Sequence, residues 1–152
     1  MQPRINFPQI APKAYQAMSG VEAYINGSGL DHGLIHLVKL RASQMNGCAF
    51  CIDMHWKDAR ANGEAEQRLY GLDAWAEAPY YTDRERAALE WTEVLTRVGD
   101  THAPDAAYEA MRAHFNEKEA VDLTWVIAAI NAWNRMAIGL RSPAGSYQPA
   151  KK

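Results

Sequence analysis

The chain is poor in nearly everything that marks a β protein, a membrane protein or a nucleic-acid binder. No alternating run of β-branched residues bounded by turn residues occurs, so strand signals are almost absent. The longest apolar run, Leu123 to Ile130, contains a threonine and falls far short of the ~18 residues that a membrane span needs. A basic surplus is lacking as well. Lysine and arginine number 16 against 18 acidic residues, a formal charge of -2, and no Lys/Arg stripe is present, which argues against a nucleic-acid partner. Met1 to Gly20 is broken by Pro3, Pro8 and Pro12 and has no apolar leader core, so the expectation is a cytoplasmic protein with no membrane partner. Cysteine is scarcest of all, with 2 in 152 residues. Cys48 and Cys51 are too close together to form the disulfide framework of a small secreted fold. In a reducing cytosol, C-x-x-C reads as a thiol redox centre or as half of a metal site.

What the chain does have is helix signals along its whole length. Hydrophobic residues at 48% and charged residues at 22% make a globular composition, and the length suits one domain. The pattern predicts a helix from Pro12 to Ile25 that stops at Asn26-Gly27. A second is capped by Asp31, ends at Asn46-Gly47, and places Leu34, Leu37, Val38 and Met45 on its apolar side. A third starts near Cys48 and stops at Asn62-Gly63, with a shorter stretch from Glu64 to Trp75. Thr82 with Glu85 has capping-box spacing and opens a helix on which Ala88, Trp91, Leu95 and Val98 share a face. Pro104 begins another, through about His114. Asn116 with Glu119 is a second capping box, before the most apolar helix, Val121 to Leu140. Its near-uniform apolarity places it in the middle of the bundle, with Trp125, Trp133 and Met136 as core. Asn131, Asn134 and Arg135 inside it are read as helix-to-helix hydrogen bonds or a subunit contact. The result is an all-α single domain over residues 1–141, followed by an irregular arm at 142–152.

The stretch that carries chemistry runs from His36 through Cys48 and Cys51 to His55. Offsets of three and four residues bring Cys48, Cys51 and His55 onto one helix face. Asn46-Gly47 turns the chain, so that Cys48 meets the unpaired N–H groups and the positive dipole end of the new helix, which stabilise a thiolate. His55, one turn after Cys51, can take up a thiol proton and later deliver one to a leaving group. Such a pair fits a two-step peroxidase, in which one thiolate is oxidised to a sulfenic acid and the other condenses with it to a disulfide. It fits a Cys2His2 zinc set of Cys48, Cys51, His55 and His36 as well, although three of those ligands would share one helix.

LVKLRASQMNGCAFCIDMHWKDARANGE, with EQRLYGLDAW, ERAALEWTEVLT and AINAWNRMAI downstream, resembles the alkylhydroperoxidase D-like (AhpD-like) proteins of the carboxymuconolactone decarboxylase superfamily. The resemblance runs roughly from Ile5 to Ile138. It implies an all-helical bundle of six to seven helices, assembled as a homo-oligomer, a trimer or a hexamer. It implies a thiol-dependent peroxidase or disulfide reductase that needs no cofactor and is reset by a dithiol such as dihydrolipoamide or a protein dithiol. Carried over by position, Cys51 is the peroxidatic cysteine, Cys48 the resolving one and His55 part of the proton relay. The helix-start argument taken alone favours Cys48 as the attacking thiolate. Two positions depart from the family. His36 stands where many members have a glutamate twelve residues before the first cysteine, and Phe50 where some have a histidine. A histidine base moves the working range to higher pH than a carboxylate, with activity lost as His36 protonates.

Overall fold

The computed structural model describes residues 2–149; Met1 and the last three residues of the expected arm lie outside them. The elements are α1 (Phe7–Ile10), α2 (Pro12–Asn26), α3 (His32–Asn46), α4 (Ala49–Ala61), α5 (Glu66–Tyr70), a 3-10 turn (Leu72–Ala74), α6 (Asp83–Thr96), α7 (Val98–Thr101), α8 (Asp105–Arg112) and α9 (Glu117–Leu140). No strand occurs among the described residues, and no helix there is long and apolar enough to cross a membrane.

The stops and starts follow local chemistry. Asp31 accepts the Leu34 N–H at 2.9 Å and caps α3. Thr82 with Glu85, and Asn116 with Glu119, form complete capping boxes at α6 and α9. The helices outnumber the six to seven expected, since α1 and α7 are single turns, too short to show a hydrophobic period. Residues 64–75 do not form one helical stretch. They break at Gly71 into α5 and the 3-10 turn, where a Cβ would run into the Tyr80 hydroxyl. Val98 leaves the α6 face altogether, because α6 ends at Thr96 and Val98 opens α7 half-exposed.

The middle of the bundle is α3 and not α9. Helix α3 packs on α4, α6 and α9 at once, and its residues enter each of the three apolar clusters. Leu34, Ile35 and Val38 meet Trp91, Met111 and Leu123; Leu37 and Leu40 meet Leu69, Leu72 and Leu89; Ala42 meets Cys48, Cys51 and Ile130. Helix α9 buries one broad side and leaves Val121, Trp125, Met136 and Ile138 exposed. Trp125 and Met136 are therefore surface residues, contrary to the core placement expected from their size. Apolarity all round a helix does not reveal which sides find a neighbour.

Asn131 and Asn134 of α9 bond between helices, whereas Arg135 bonds back to Asn131 within α9. The Asn46 side-chain amide donates to Asn131 Oδ1 at 3.0 Å and Asn134 Oδ1 at 2.8 Å. Asn134 donates in turn to Ser43 Oγ at 3.1 Å, and Asn131 to Thr96 Oγ1 at 3.1 Å. This network locks the end of α3 to α9 immediately before the cysteines. Asn134 is fully buried, so Asn134→Ala leaves Asn46 and Ser43 short of a partner. The variant should lose about 1–3 kcal/mol of stability in urea unfolding, whereas Val121→Ser on the exposed side should lose far less; equal losses would show the network to be unimportant.

Candidate active site

Gly47 ends α3 in the left-handed region, at φ 69°, where a side chain would be strained. The chain reverses there, and Cys48 becomes the N-cap of α4. Its Sγ accepts the Cys51 N–H at 3.3 Å. Cys48 and Cys51 are joined in a disulfide, and both are almost wholly buried, at 1% and 2% exposure. Their surroundings differ. Cys51 forms part of the wall of a cavity of about 910 Å³, while Cys48 is not in that wall. The cavity is also walled by His36 and Lys39 of α3, Phe50, Met54, His55 and Asp58 of α4, and Ile130 and Trp133 of α9.

The structure thus brings together three of the four site residues singled out from sequence, Cys51, His55 and His36, at one cavity, with Cys48 bonded behind. In the disulfide-bonded form neither sulfur is free to join His55 and His36 as a zinc ligand. The two histidines converge instead with Asp58, one helical turn after His55. Burial holds His36 below the usual histidine value, opposed by the Asp58 carboxylate and reinforced by Lys39. Burial holds His55 well below it, with Lys39 and then His36 adding to the effect. Both rings are therefore neutral bases near neutral pH. Protonation of His36 comes at more acidic pH than for a free histidine, so the shift relative to a carboxylate is smaller than its residue type alone implies.

Four groups escaped the sequence reading, Lys39, Glu22, Asp58 and Tyr147. Lys39, buried on α3, pairs with Glu22 of α2 at 2.5 Å, and the Trp133 indole donates to the same carboxylate at 2.9 Å. Lys39 follows His36 by three residues, the only signal that it could share the site. Asp58 accepts the Tyr147 hydroxyl at 2.7 Å. Tyr147 lies in the segment after α9, which has no helix through residue 149 and is tied down. The Gly145 N–H donates to Asp53 at 3.1 Å, and Lys57 donates to the Tyr147 carbonyl at 3.0 Å. Ser142, Pro143 and Ser146 close one side of the cavity, and Pro3 to Pro8 another. Burial and the Asp58 bond push the Tyr147 hydroxyl up to about 12.

A buried neutral histidine has a consequence for stability. The folded-state value of His55 lies below the unfolded value of ~6.5, so its contribution is fully present above that pH. It is lost as pH falls from there through the folded-state value. The urea midpoint should decline on acidification below about pH 6.5, and less steeply in His55→Gln; equal slopes would remove His55 as a cause.

Comparison with known proteins agrees with this construction. The sequence model of the carboxymuconolactone decarboxylase family matches residues 11–94, from α2 through most of α6. An uncharacterized protein of Bacillus subtilis (strain 168), YdfG, is 44% identical over 146 residues, 96% of this chain and 99% of that one. A crystal structure from Agrobacterium tumefaciens superposes with a TM-score of 0.90 at 47% identity, covering 99% of this chain and all of that one. That protein is of unknown function and is assigned provisionally to antioxidant defence as AhpD. An uncharacterized peroxidase-related protein with an AhpD core from Ralstonia eutropha JMP134 shares the fold at 21% identity, with a TM-score of 0.80, over 91% of this chain and 74% of that one. With the helical bundle, the C-x-x-C at the start of α4 and these matches in agreement, the chain belongs to the carboxymuconolactone decarboxylase family, as an AhpD-like member.

Proposed function

We propose that the protein is a thiol-dependent peroxidase that reduces hydrogen or organic hydroperoxides through a Cys51–Cys48 disulfide cycle. The observation that carries this reading is the asymmetry of the pair: Cys51 walls the cavity beside His55 and His36, and Cys48 does not. A peroxide entering the cavity meets Cys51 first. The Cys51 thiolate attacks one peroxide oxygen, the O–O bond breaks, and sulfur is oxidised to a sulfenic acid. The other oxygen leaves as an alkoxide and takes up a proton. His55, neutral and one turn from Cys51, accepts the thiol proton beforehand and supplies one to the leaving oxygen. His36 faces the same cavity and extends the relay.

Cys48 then attacks the Cys51 sulfur. Water leaves, and the disulfide forms. A dithiol, dihydrolipoamide or a protein dithiol, attacks Cys51 from the cavity and releases Cys48 as a thiolate held at the start of α4. After a second exchange the donor carries the disulfide and both cysteines are reduced. Dependence on a dithiol suits a reducing compartment, the cytoplasm. The exposed strip of α9 with Val121 and Trp125, beside Tyr108 of α8, supports assembly as a homo-oligomer, for which the family resemblance implies a trimer or a hexamer. Phe50, where some relatives carry a histidine, leaves His55 and His36 as the bases of the site.

The deciding experiment adds one equivalent of an organic hydroperoxide to the reduced protein and follows intact mass and turnover with a dithiol. Cys51→Ser should abolish consumption, and Cys48→Ser should stop at a sulfenic acid trapped by dimedone; the reverse pattern exchanges the two roles. A disulfide that forms without dithiol-driven turnover points to a redox adaptor instead. His55→Ala should slow the peroxide step by about 10²–10⁴-fold, and a change below about twofold removes His55 from the mechanism.

A further inference from the structure

His36, His55 and Asp58 do more than surround a thiol. We propose that they form a binding site for a divalent transition-metal ion of the zinc type. The inference goes beyond the peroxidase reading and rests on separate observations. One nitrogen of each ring and one carboxylate oxygen of Asp58 lie within 4.8 Å of one another. Nδ1 of His36 and Nδ1 of His55 are both buried without a hydrogen-bond partner, and His55 is only 6% exposed. Buried imidazole nitrogens in a folded protein ordinarily have partners. The two rings that carry these unpartnered nitrogens converge on a single carboxylate, and a cation is a ligand that all three side chains accept.

The donor set and its mounting suit such an ion. Two imidazole nitrogens with one carboxylate oxygen are ligands for zinc and its neighbours cobalt(II) and nickel(II). His55 and Asp58 project from adjacent turns of α4, and His36 from α3, so the helices hold all three. A tetrahedral zinc with bonds of ~2.0–2.2 Å separates its donors by roughly 3.4 Å. The Tyr147 hydroxyl bonds to Asp58 Oδ1 at 2.7 Å, the kind of support that orients a ligating carboxylate. The Lys39 ammonium, which disfavours positive charge at both rings, opposes a cation here, and its ion pair with Glu22 offsets part of that charge. His36, His55 and Asp58 all line the cavity, which leaves solvent to complete the coordination. Bound zinc occupies the nitrogens that a proton relay uses, which makes the site a metal-sensitive brake if the peroxidase reading holds.

The test uses the oxidised protein, in which Cys48 and Cys51 are bonded and no thiol can bind metal. Zinc is titrated in competition with a fluorescent chelator. One zinc per chain is expected, with affinity weakened at least about tenfold in His36→Gln and in Asp58→Asn and unchanged in His114→Gln. In the wild-type protein, the NMR signals of two histidine rings should shift on zinc addition and the other three stay in place, which keeps the test independent of how the variants fold. No stoichiometric binding, or full affinity in both ligand variants, overturns the proposal. Zinc binding without peroxide turnover overturns the peroxidase reading alone, and turnover without zinc binding overturns this site alone.

Discussion

The reversal between α3 and α4 is the constraint on which the site depends. Gly47 supplies a backbone conformation that side-chain-bearing residues resist, and the Asn46 amide holds the turn against α9 through Asn131 and Asn134. The disulfide at the N-terminus of α4, His36 on α3 and His55 with Asp58 on α4 all take their positions from that reversal. If α4 left at another angle, the pair of cysteines would persist and the histidines would separate. The α9 amides are therefore as much a part of the site as the groups that line it, though they lie outside its cavity.

The second organising feature is how charge is handled inside an apolar bundle. Lys39 is buried, and Glu22 neutralises it while accepting the Trp133 indole N–H. A buried ion pair is weak evidence for stability, since desolvation offsets much of its attraction. Its effect on the neighbours is clearer. The ammonium and the low-dielectric surroundings both disfavour protonated imidazole, so His36 and His55 are held as neutral bases. Asp58 works the other way on His36, and the Tyr147 hydroxyl ties that carboxylate to the segment after α9. The last described part of the chain thus reaches the centre of the site by one hydrogen bond.

Helix ends were legible because their signals are local. Asp31 before α3, the Thr82 and Asn116 capping boxes and the Asn-Gly stops each act within a few residues, whatever packs around them. Expectations about faces held less well. Trp125 and Met136 lie at the surface, Val98 belongs to another helix, and α3 rather than α9 occupies the centre. Hydrophobicity tells that a side chain can be buried, and only the arrangement of partners tells whether it is. The half-polar α3, with Lys39 and Ser43 in its buried set, does not look central until their partners Glu22 and Asn134 are in place.

The sequence by itself determined the all-α class, most helix boundaries, the C-x-x-C at a helix start and the placement of His55 one turn beyond Cys51, because all of these are set by interactions within a few residues. The tertiary structure decided which cysteine meets the cavity, that His36 approaches His55 and Asp58, and that Glu22, Lys39 and Tyr147 belong to the same neighbourhood. Those relations join residues far apart in the chain, and their geometry depends on helix packing and on the buried amide network. Local spacing hints only at Lys39, three residues after His36.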